Sequence, residues 1–265
     1  GAMIDFRPLL AMPQMVLLGA AGQFGIYGTL ILAALLGFPL NQAASIGVIG
    51  AIDGPTAIFV TSKLAPELLG PIAVAAYSYM SLIPIIQPPI MRLMTSKKER
   101  SIRMEYAAKP VSDKAVIAFP VVVTVVVSLI APDAAPLIAT LMLGNLLRES
   151  GVVDRLRKAA GNEIINIATL FLGLSIGATM TGTSFINLQT LMVLALGLLA
   201  FVLDTVAGLL FGKLMCFVTR GKANPLIGAC GISAFPMAGR LSAQMALEAD
   251  PHNYILMHAM GSNTA

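Results

Sequence analysis

Charged side chains are scarce in this sequence. Its 265 residues include 17 Lys and Arg and 13 Asp and Glu, so charged residues make up 11% of the chain. An ordinary soluble domain has about 25%. Hydrophobic side chains make up 57%, and the mean hydropathy is +0.85. This composition excludes a soluble enzyme, a disordered tail and a nucleic-acid binder, and it predicts an integral membrane protein.

Several common kinds of site are also missing. The two cysteines, Cys216 and Cys230, lie in or beside apolar segments, which argues against a disulfide framework. The sequence has no Gly-rich phosphate loop, no GxSxG motif and no HExxH motif. These absences exclude the usual nucleotide-binding, serine-hydrolase and zinc-protease signatures.

Long apolar runs dominate what is present. About 20 apolar residues are needed to cross roughly 30 Å of hydrocarbon, and the run 188–216 and most of 14–37 are predicted to be uninterrupted spans. The runs 42–61 and 224–239 are instead broken by Gly and Pro, and 134–147 is too short to cross comfortably. The remaining runs are 68–94, 115–131, 164–186 and 253–263.

Short self-matches suggest an internal repeat. The tripeptide MVL occurs at 15–17 and 192–194, and IGA occurs at 49–51 and 227–229. The two offsets are nearly equal, and each IGA opens a segment broken by Gly and Pro. Paired interruptions of this kind indicate discontinuous helices that meet at a transport site.

The predicted fold is therefore an all-α membrane protein, a polytopic helical bundle with two inverted-topology repeats and discontinuous helices. We expect residues 1–110 to form the first repeat, with a broken helix around Asp53. Residues 111–265 then form the second, with a broken helix around Ser233. The chain starts in a loop-like stretch and stops within an apolar run, so we expect it to be a fragment of a longer protein at both ends.

The basic residues predict the orientation. Three connections, 97–114, 148–158 and 213–222, hold 13 of the 17 Lys and Arg. Counting crossings puts all three on one face, which is the cytoplasmic face by the positive-inside rule. The protein is thus predicted to be a multi-pass protein of the cell membrane, with the lipid bilayer as its solvent.

Asp53 is the first candidate for chemistry. It lies in the string GAIDGPT at 50–56, and a carboxylate at membrane depth normally has a partner or a function. One interpretation is a helix N-cap at an interface. The interpretation that we favour is a cation ligand, with Thr56 and backbone carbonyls of the break supplying further oxygens.

The second broken segment supplies other polar groups. Asn224 and Ser233 are neutral oxygen donors, and Arg240 is a buried or interfacial cation. Asp204, in the middle of the run 188–216, is a functional candidate by its position, although it also fits a role in pairing with a neighbouring helix.

Five strings of this sequence resemble one known family. The chain resembles the beta subunit of the sodium-translocating, biotin-dependent decarboxylases of oxaloacetate, methylmalonyl-CoA and glutaconyl-CoA. The strings are distributed along essentially the whole chain. They are GAMIDFRPLL at the start, GAIDGPTAIF at 50–59, GNLLRESGVVDRL at 144–156, NPLIGACGISAFPMAGR at 224–240 and LMHAMGSNTA at 256–265.

The resemblance implies a sodium pump driven by decarboxylation. A biotin-carrying alpha subunit would deliver carboxybiotin to this membrane subunit, which would release carbon dioxide, consume a proton and export sodium ions. The implied cofactors are sodium and the partner's carboxybiotin. The implied partners are the alpha subunit and a small membrane gamma subunit, in a complex that is also expected to be a homo-oligomer, with no nucleic acid.

The resemblance also implies roles for individual residues. Asp53, Tyr79 and Arg240 match positions of catalysis and of the ion and proton path, and Arg240 and Asn224 are expected to bind the carboxybiotin. Asp204 matches no functional position. The expected sodium ligands are Asp53, Thr56, Asn224, Ser233 and Asn263.

One other class of transporter fits the same pattern. A sodium-coupled secondary carboxylate transporter would also show inverted repeats, broken helices and a buried Asp. A passive channel or a structural subunit would explain the composition but not the paired breaks. Copurification with a biotinylated partner distinguishes the two transporters, because the pump is expected to have such a partner and the secondary transporter is not.

Overall fold

A computed structural model describes residues 1–104, 111–180, 187–232, 234 and 236–265. Within these ranges the chain is helical and contains no β-strand. In chain order the α-helices are α1 (Arg7–Ala11), α2 (Val16–Ala21), α3 (Phe24–Leu35), α4 (Leu40–Gly47), α5 (Gly54–Leu64), α6 (Leu69–Met94), α7 (Lys97–Arg100), α8 (Asp113–Ile130), α9 (Ala135–Glu149), α10 (Asp154–Ala159), α11 (Ile165–Thr179), α12 (Leu188–Val218), α13 (Met237–Ala249) and α14 (Leu256–Asn263). Short 3₁₀ segments occupy Pro13–Met15, Val48–Ala51, Pro66–Leu68, Pro132–Ala134 and Pro225–Cys230, and a π-helical turn occupies Ala160–Ile164.

Five helical stretches are long and apolar enough to cross a membrane. This confirms the all-α membrane class and the multi-pass prediction. The two inverted repeats remain a prediction. The stretches are Pro13–Leu35, Pro66–Met94, Asp113–Ile130, Asp154–Ala178 and Leu188–Val218.

The chain forms two compact units. The larger combines 12–107 with 180–265, and the smaller combines 1–11 with 108–179, each within the described residues. These units do not coincide with the repeat regions 1–110 and 111–265. Compact units and sequence repeats are different divisions of a chain, so the repeat boundary stays a prediction. Every candidate site residue that the structure describes belongs to the larger unit.

The run 14–37 forms one candidate span, Pro13–Leu35, as predicted. Within this span the α-helical pattern is interrupted for two residues, because α2 ends at Ala21 and α3 begins at Phe24. At this joint, Gly22 lies so close to the backbone carbonyl of Gly231 that a side chain there would overlap it. This close tertiary contact at the joint is a feature that the local sequence does not reveal.

The two predicted breaks are present. In the first, α4 gives way to the 3₁₀ segment Val48–Ala51, and Ile52 adopts a left-handed conformation with φ of 50° before α5 begins. In the second, the 3₁₀ segment Pro225–Cys230 precedes α13. Both breaks occur where Gly and Pro are concentrated, as their weak helix preference predicts.

Helix α12 is the common support of the larger unit. It packs against α3, α6 and both 3₁₀ segments of the breaks. Small residues allow this close approach. Gly208 and Gly228 face each other so closely that a Cβ on either would overlap the other's carbonyl, and Gly50 lies against Ala200 and Asp204. The two breaks therefore contact α12 about one turn apart, since Asp204 and Gly208 are four residues apart.

Candidate functional site

Asp53 lies at the N-terminal end of α5, immediately after the left-handed Ile52. Its backbone is extended, and its side chain caps the helix. Asp53 Oδ1 accepts from the Thr56 backbone N–H at 3.4 Å, and Oδ2 accepts from the Thr56 hydroxyl at 2.6 Å. Asp is a favoured N-cap residue, and Pro55 fits the first turn because it needs no hydrogen-bond acceptor there. The sequence DGPT thus encodes its own cap.

The cap geometry is compatible with a cation ligand. Asp53 is only half-buried, and the positive end of the α5 dipole, equivalent to about half a charge, stabilises the carboxylate. The full negative charge of Asp53 outweighs that partial charge, so the end of the helix still attracts a cation. Because the Thr56 hydroxyl donates to Asp53, its lone pairs remain available for an ion.

Two tyrosines of α6 occupy different surroundings. The hydroxyl of Tyr79, the predicted residue, donates to the backbone carbonyl of Leu194 at 2.5 Å, which ties α6 to α12. The ring of Tyr77 instead packs against Gly54, the residue after Asp53. Residues two apart on a helix point about 200° apart, so only one of the pair can face the Asp53 cap. The role of Tyr79 in the ion and proton path stays a prediction.

Asn224 holds the second break in place. It is fully buried, and its side-chain oxygen accepts from the Leu226 N–H at 3.0 Å. Its side-chain nitrogen donates to the carbonyls of Arg100 and Ile102, each at 2.9 Å. Both N–H hydrogens of the Asn224 side chain thus bond to carbonyls at the C-terminal end of α7 and just after it. Only the side-chain oxygen has a lone pair left for a ligand.

Asn263 reaches the second break from α14. Its side-chain nitrogen donates to the carbonyl of Cys230 at 3.1 Å and to that of Ile232 at 2.6 Å. Its side-chain oxygen is buried and has no hydrogen-bond partner within the described part of the chain. Ser233 lies outside the described residues, next to Ile232. Asn263 therefore offers an unsatisfied oxygen beside the segment in which Ser233 was predicted to act.

Arg240 lies near the start of α13, and its side chain is exposed. Within the described ranges, its guanidinium forms no ion pair. A free guanidinium can bind a carboxylate through two parallel hydrogen bonds. The sequence left open whether Arg240 is buried or interfacial, and the structure shows that its side chain is accessible.

The described residues contain no group of three or more His, Cys, Asp or Glu that could hold a metal ion. A cation site built from these residues would therefore need hydroxyl, amide or backbone oxygens beside any carboxylate. Asp53, Thr56 and Asn263 supply oxygens of these kinds. They belong to the first break and to the helix that contacts the second.

Comparison with known proteins gives one family along the whole length. The family described as Na+-transporting oxaloacetate decarboxylase beta subunit matches residues 1–265. The oxaloacetate decarboxylase beta chain of Klebsiella pneumoniae is 55% identical over 271 residues, which cover 100% of this chain and 62% of that protein. The chain thus spans less than two thirds of the length of that relative.

Relatives with other names are nearly as similar. The methylmalonyl-CoA decarboxylase subunit beta of Propionigenium modestum is 55% identical, with 100% of this chain and 67% of that protein covered. The glutaconyl-CoA decarboxylase subunit beta of Acidaminococcus fermentans is 52% identical, with 100% and 70% covered. Together with the five candidate spans, these bacterial relatives confirm the prediction of a cell-membrane protein. The predicted resemblance is also confirmed: the chain belongs to the family of Na+-transporting oxaloacetate decarboxylase beta subunits.

Proposed function

We propose that this chain is part of the membrane subunit of a primary sodium pump, which decarboxylates carboxybiotin, consumes a proton and exports sodium ions. The observation that carries the proposal is the pair formed by Asp53 and Thr56. It places a half-buried carboxylate and a hydroxyl at a helix break in a membrane protein. Such breaks, buried in protein, are where transport sites occur in membrane folds.

Sodium is the proposed cargo of this site. A hard cation selects oxygen ligands and needs several of them, more than Asp53 alone supplies. Thr56 supplies a hydroxyl oxygen, Asn263 an unsatisfied amide oxygen and Asn224 the free lone pair of its side-chain oxygen. Ser233 is proposed as a further ligand. The support of both breaks by one helix favours a site to which both contribute.

The chemical step is proposed to occur on carboxybiotin carried by a partner. The bond between the biotin nitrogen and the carboxyl carbon breaks, carbon dioxide leaves, and the electron pair stays on nitrogen, which then takes a proton. Arg240 is proposed to receive the carboxylate, because its guanidinium is accessible and forms no ion pair in the described structure. Tyr79 and Asp53 are proposed to act in the proton and ion path.

The proposed partners are a biotin-carrying alpha subunit, a small membrane gamma subunit and further copies of the beta subunit. The full-length beta subunit, purified from its own membrane in mild detergent, tests this. We expect a biotinylated polypeptide to copurify and sodium to accelerate decarboxylation by the complex. Absence of any biotinylated partner, together with sodium-driven carboxylate uptake into vesicles, would replace the pump with a secondary transporter.

A further inference from the structure

Asp204 is the most deeply buried carboxyl group among the described residues of the larger unit, and the proposed sodium site does not use it. It lies in the middle of α12, and only 1% of its surface is exposed. Its Oδ1 accepts from the backbone N–H of Gly25 at 2.5 Å, whereas Oδ2 is buried and has no hydrogen-bond partner among the residues that the structure describes. Gly25 belongs to the first turn of α3, whose N–H groups have no partner within the helix.

The surroundings of Asp204 do not balance a negative charge. No described Lys, Arg or His forms an ion pair with it. Three of the elements packed against α12 carry no titratable side chain, namely α2, α4 and the segment Val48–Ala51. The other packed elements carry titratable side chains that form no hydrogen bond or ion pair with Asp204. These are Tyr27 of α3, Tyr77 and Arg92 of α6, Cys230 of the second break, and Tyr79 of α6, which bonds to Leu194 instead.

An ionised carboxylate in this position is therefore unfavourable. Removing a carboxylate from water costs several kcal/mol even after the protein relaxes. One N–H donor and the α3 dipole offset only part of that cost, since stabilising a buried carboxylate typically takes two or three donors. The group must be neutralised by a bound cation or by a proton.

The packing favours a proton. A metal cation would need several oxygens at about 2.4 Å, as calcium does. However, Asp204 Oδ2 lies against the backbone of Gly50, so closely that a Cβ added to Gly50 would be only 2.8 Å from this oxygen. Glycine lets the backbone approach the acid this closely. The space suits a hydroxyl hydrogen better than a hydrated or multiply coordinated ion.

We propose that Asp204 is a proton-binding site, held as the neutral acid where α3 and the first break cross α12, and that it exchanges its proton when this crossing opens. Both elements that cover the acid are discontinuous. The joint between α2 and α3 lies within three residues of Gly25, and Gly50 lies in the 3₁₀ segment of the first break. Such segments are those expected to move in transporters.

Opening would admit water to Asp204 and complete the proton transfer. The O–H bond at Oδ2 breaks, water takes the proton, and the carboxylate remains, with the Gly25 N–H and water as partners. Thr29 lies one turn beyond Gly25 on the same helix, and no described residue forms a hydrogen bond with its buried hydroxyl. That hydroxyl can form the next hydrogen bond along α3. We assign this proton to the decarboxylation step, which consumes one proton. That assignment rests on the proposed function.

Infrared difference spectroscopy of the reconstituted complex tests the proposal. A protonated carboxyl group absorbs separately from a carboxylate, and Asp204→Asn removes it while preserving shape. The matched control is Asp133→Asn, which removes an exposed acid. We expect a carboxylic-acid band at neutral pH in the unmodified complex and in the Asp133→Asn variant but not in Asp204→Asn. Adding sodium should change the intensity of this band.

Turnover gives the second readout. We expect Asp204→Asn to lower decarboxylation about 100-fold, a typical loss for a proton-transfer group, and to flatten its dependence on pH. The proposal is overturned if the unmodified complex lacks the band. It is equally overturned if neither sodium nor carboxylated substrate changes the band, since the acid would then be structural. Failure of the pump proposal is seen separately, as the absence of a biotinylated partner.

Discussion

The two carboxyl groups next to the first break are stabilised in opposite ways. Asp53, on the C-terminal side of the break, is half-buried and accepts two hydrogen bonds from Thr56. Asp204, packed against Gly50 within the break, is 1% exposed and accepts one hydrogen bond, from Gly25. The first environment allows a charge and the second penalises it.

This difference is the basis on which we propose different cargo for the two groups. A carboxylate that remains charged and partly accessible attracts a cation from water. A carboxyl group that is closed off and poorly solvated is more stable with a proton. The first break could thus serve both sites, since Asp53 follows it and Gly50, which packs against Asp204, lies within it.

The most damaging change should be Asp53→Asn. Removing one partner of a charge pair costs about 2–5 kcal/mol, so we expect sodium-dependent decarboxylation by the complex to fall by about 100-fold or more. Steady-state assays over a range of sodium concentrations measure this. Asp133→Asn removes an exposed acid and serves as the control. Normal turnover and normal sodium dependence in Asp53→Asn would mean that Asp53 is only a helix cap.

Gly25→Ala should destabilise the crossing at Asp204. A Cβ at Gly25 would overlap the Ala200 carbonyl and lie 2.5 Å from Asp204 Oδ1, and such overpacking costs about 1–3 kcal/mol. Gly28→Ala, on the same helix, is the control, since its nearest contact would be Leu203 Cδ1 at 3.6 Å. Thermal unfolding of the solubilised complex compares the two. Equal melting temperatures would contradict the close packing described here.

Thr56→Val should have a smaller effect on the Asp53 site. The change keeps the shape but removes one oxygen ligand and a hydrogen bond to Asp53, a loss of about 1 kcal/mol or slightly more. We expect the sodium concentration for half-maximal activity to rise several-fold to about tenfold. Thr56→Ser keeps the hydroxyl and should stay close to the unmodified protein. If the Val variant behaves like the Ser variant, Thr56 is not a ligand.

A third carboxylate, Asp250, extends the comparison to the surface. Arg103 donates two hydrogen bonds to it, from Nε at 2.5 Å and from Nη2 at 3.0 Å, and these lower the pKa of Asp250. The unfolded pKa is about 3.9. The stabilisation is therefore complete above that pH and is lost as the pH falls through the lower folded value.

This pH dependence should be weak, because the ion pair is exposed to solvent. A nitroxide on Lys98→Cys, in a Cys216→Ser background, reports the mobility of the α7 segment next to Arg103. We expect its mobility to rise modestly between about pH 5 and pH 2.5. Asp250→Asn should give the mobile spectrum already at neutral pH. A spectrum that is unchanged in both experiments would show that the pair does not hold the segment.

Local sequence was sufficient for the two breaks, and it offered the Asp53 cap as the interpretation that we did not favour. Gly and Pro disfavour helix continuation wherever they cluster, and the order Asp, Gly, Pro, Thr satisfies the start of a helix within four residues. These features depend on neighbours in the chain. They were therefore visible in the sequence.

The features that escaped prediction depend on contacts between distant residues. Asp204 and Gly25 are 179 positions apart, and Gly22, at the joint before α3, lies against the carbonyl of Gly231. The packing of Tyr77 on Gly54 depends on the rotation of α6. The hydrogen bonds from the Asn224 side chain to the carbonyls of Arg100 and Ile102 also join residues that are far apart in the sequence.

Sodium-specific stabilisation of the purified complex tests the central comparison most directly. A ligand that binds only the folded state raises the unfolding temperature, so sodium and potassium chloride at equal concentration can be compared without turnover. The account predicts that sodium stabilises the unmodified complex and Asp204→Asn but no longer stabilises Asp53→Asn. Loss of the sodium effect in Asp204→Asn, with retention in Asp53→Asn, would contradict it.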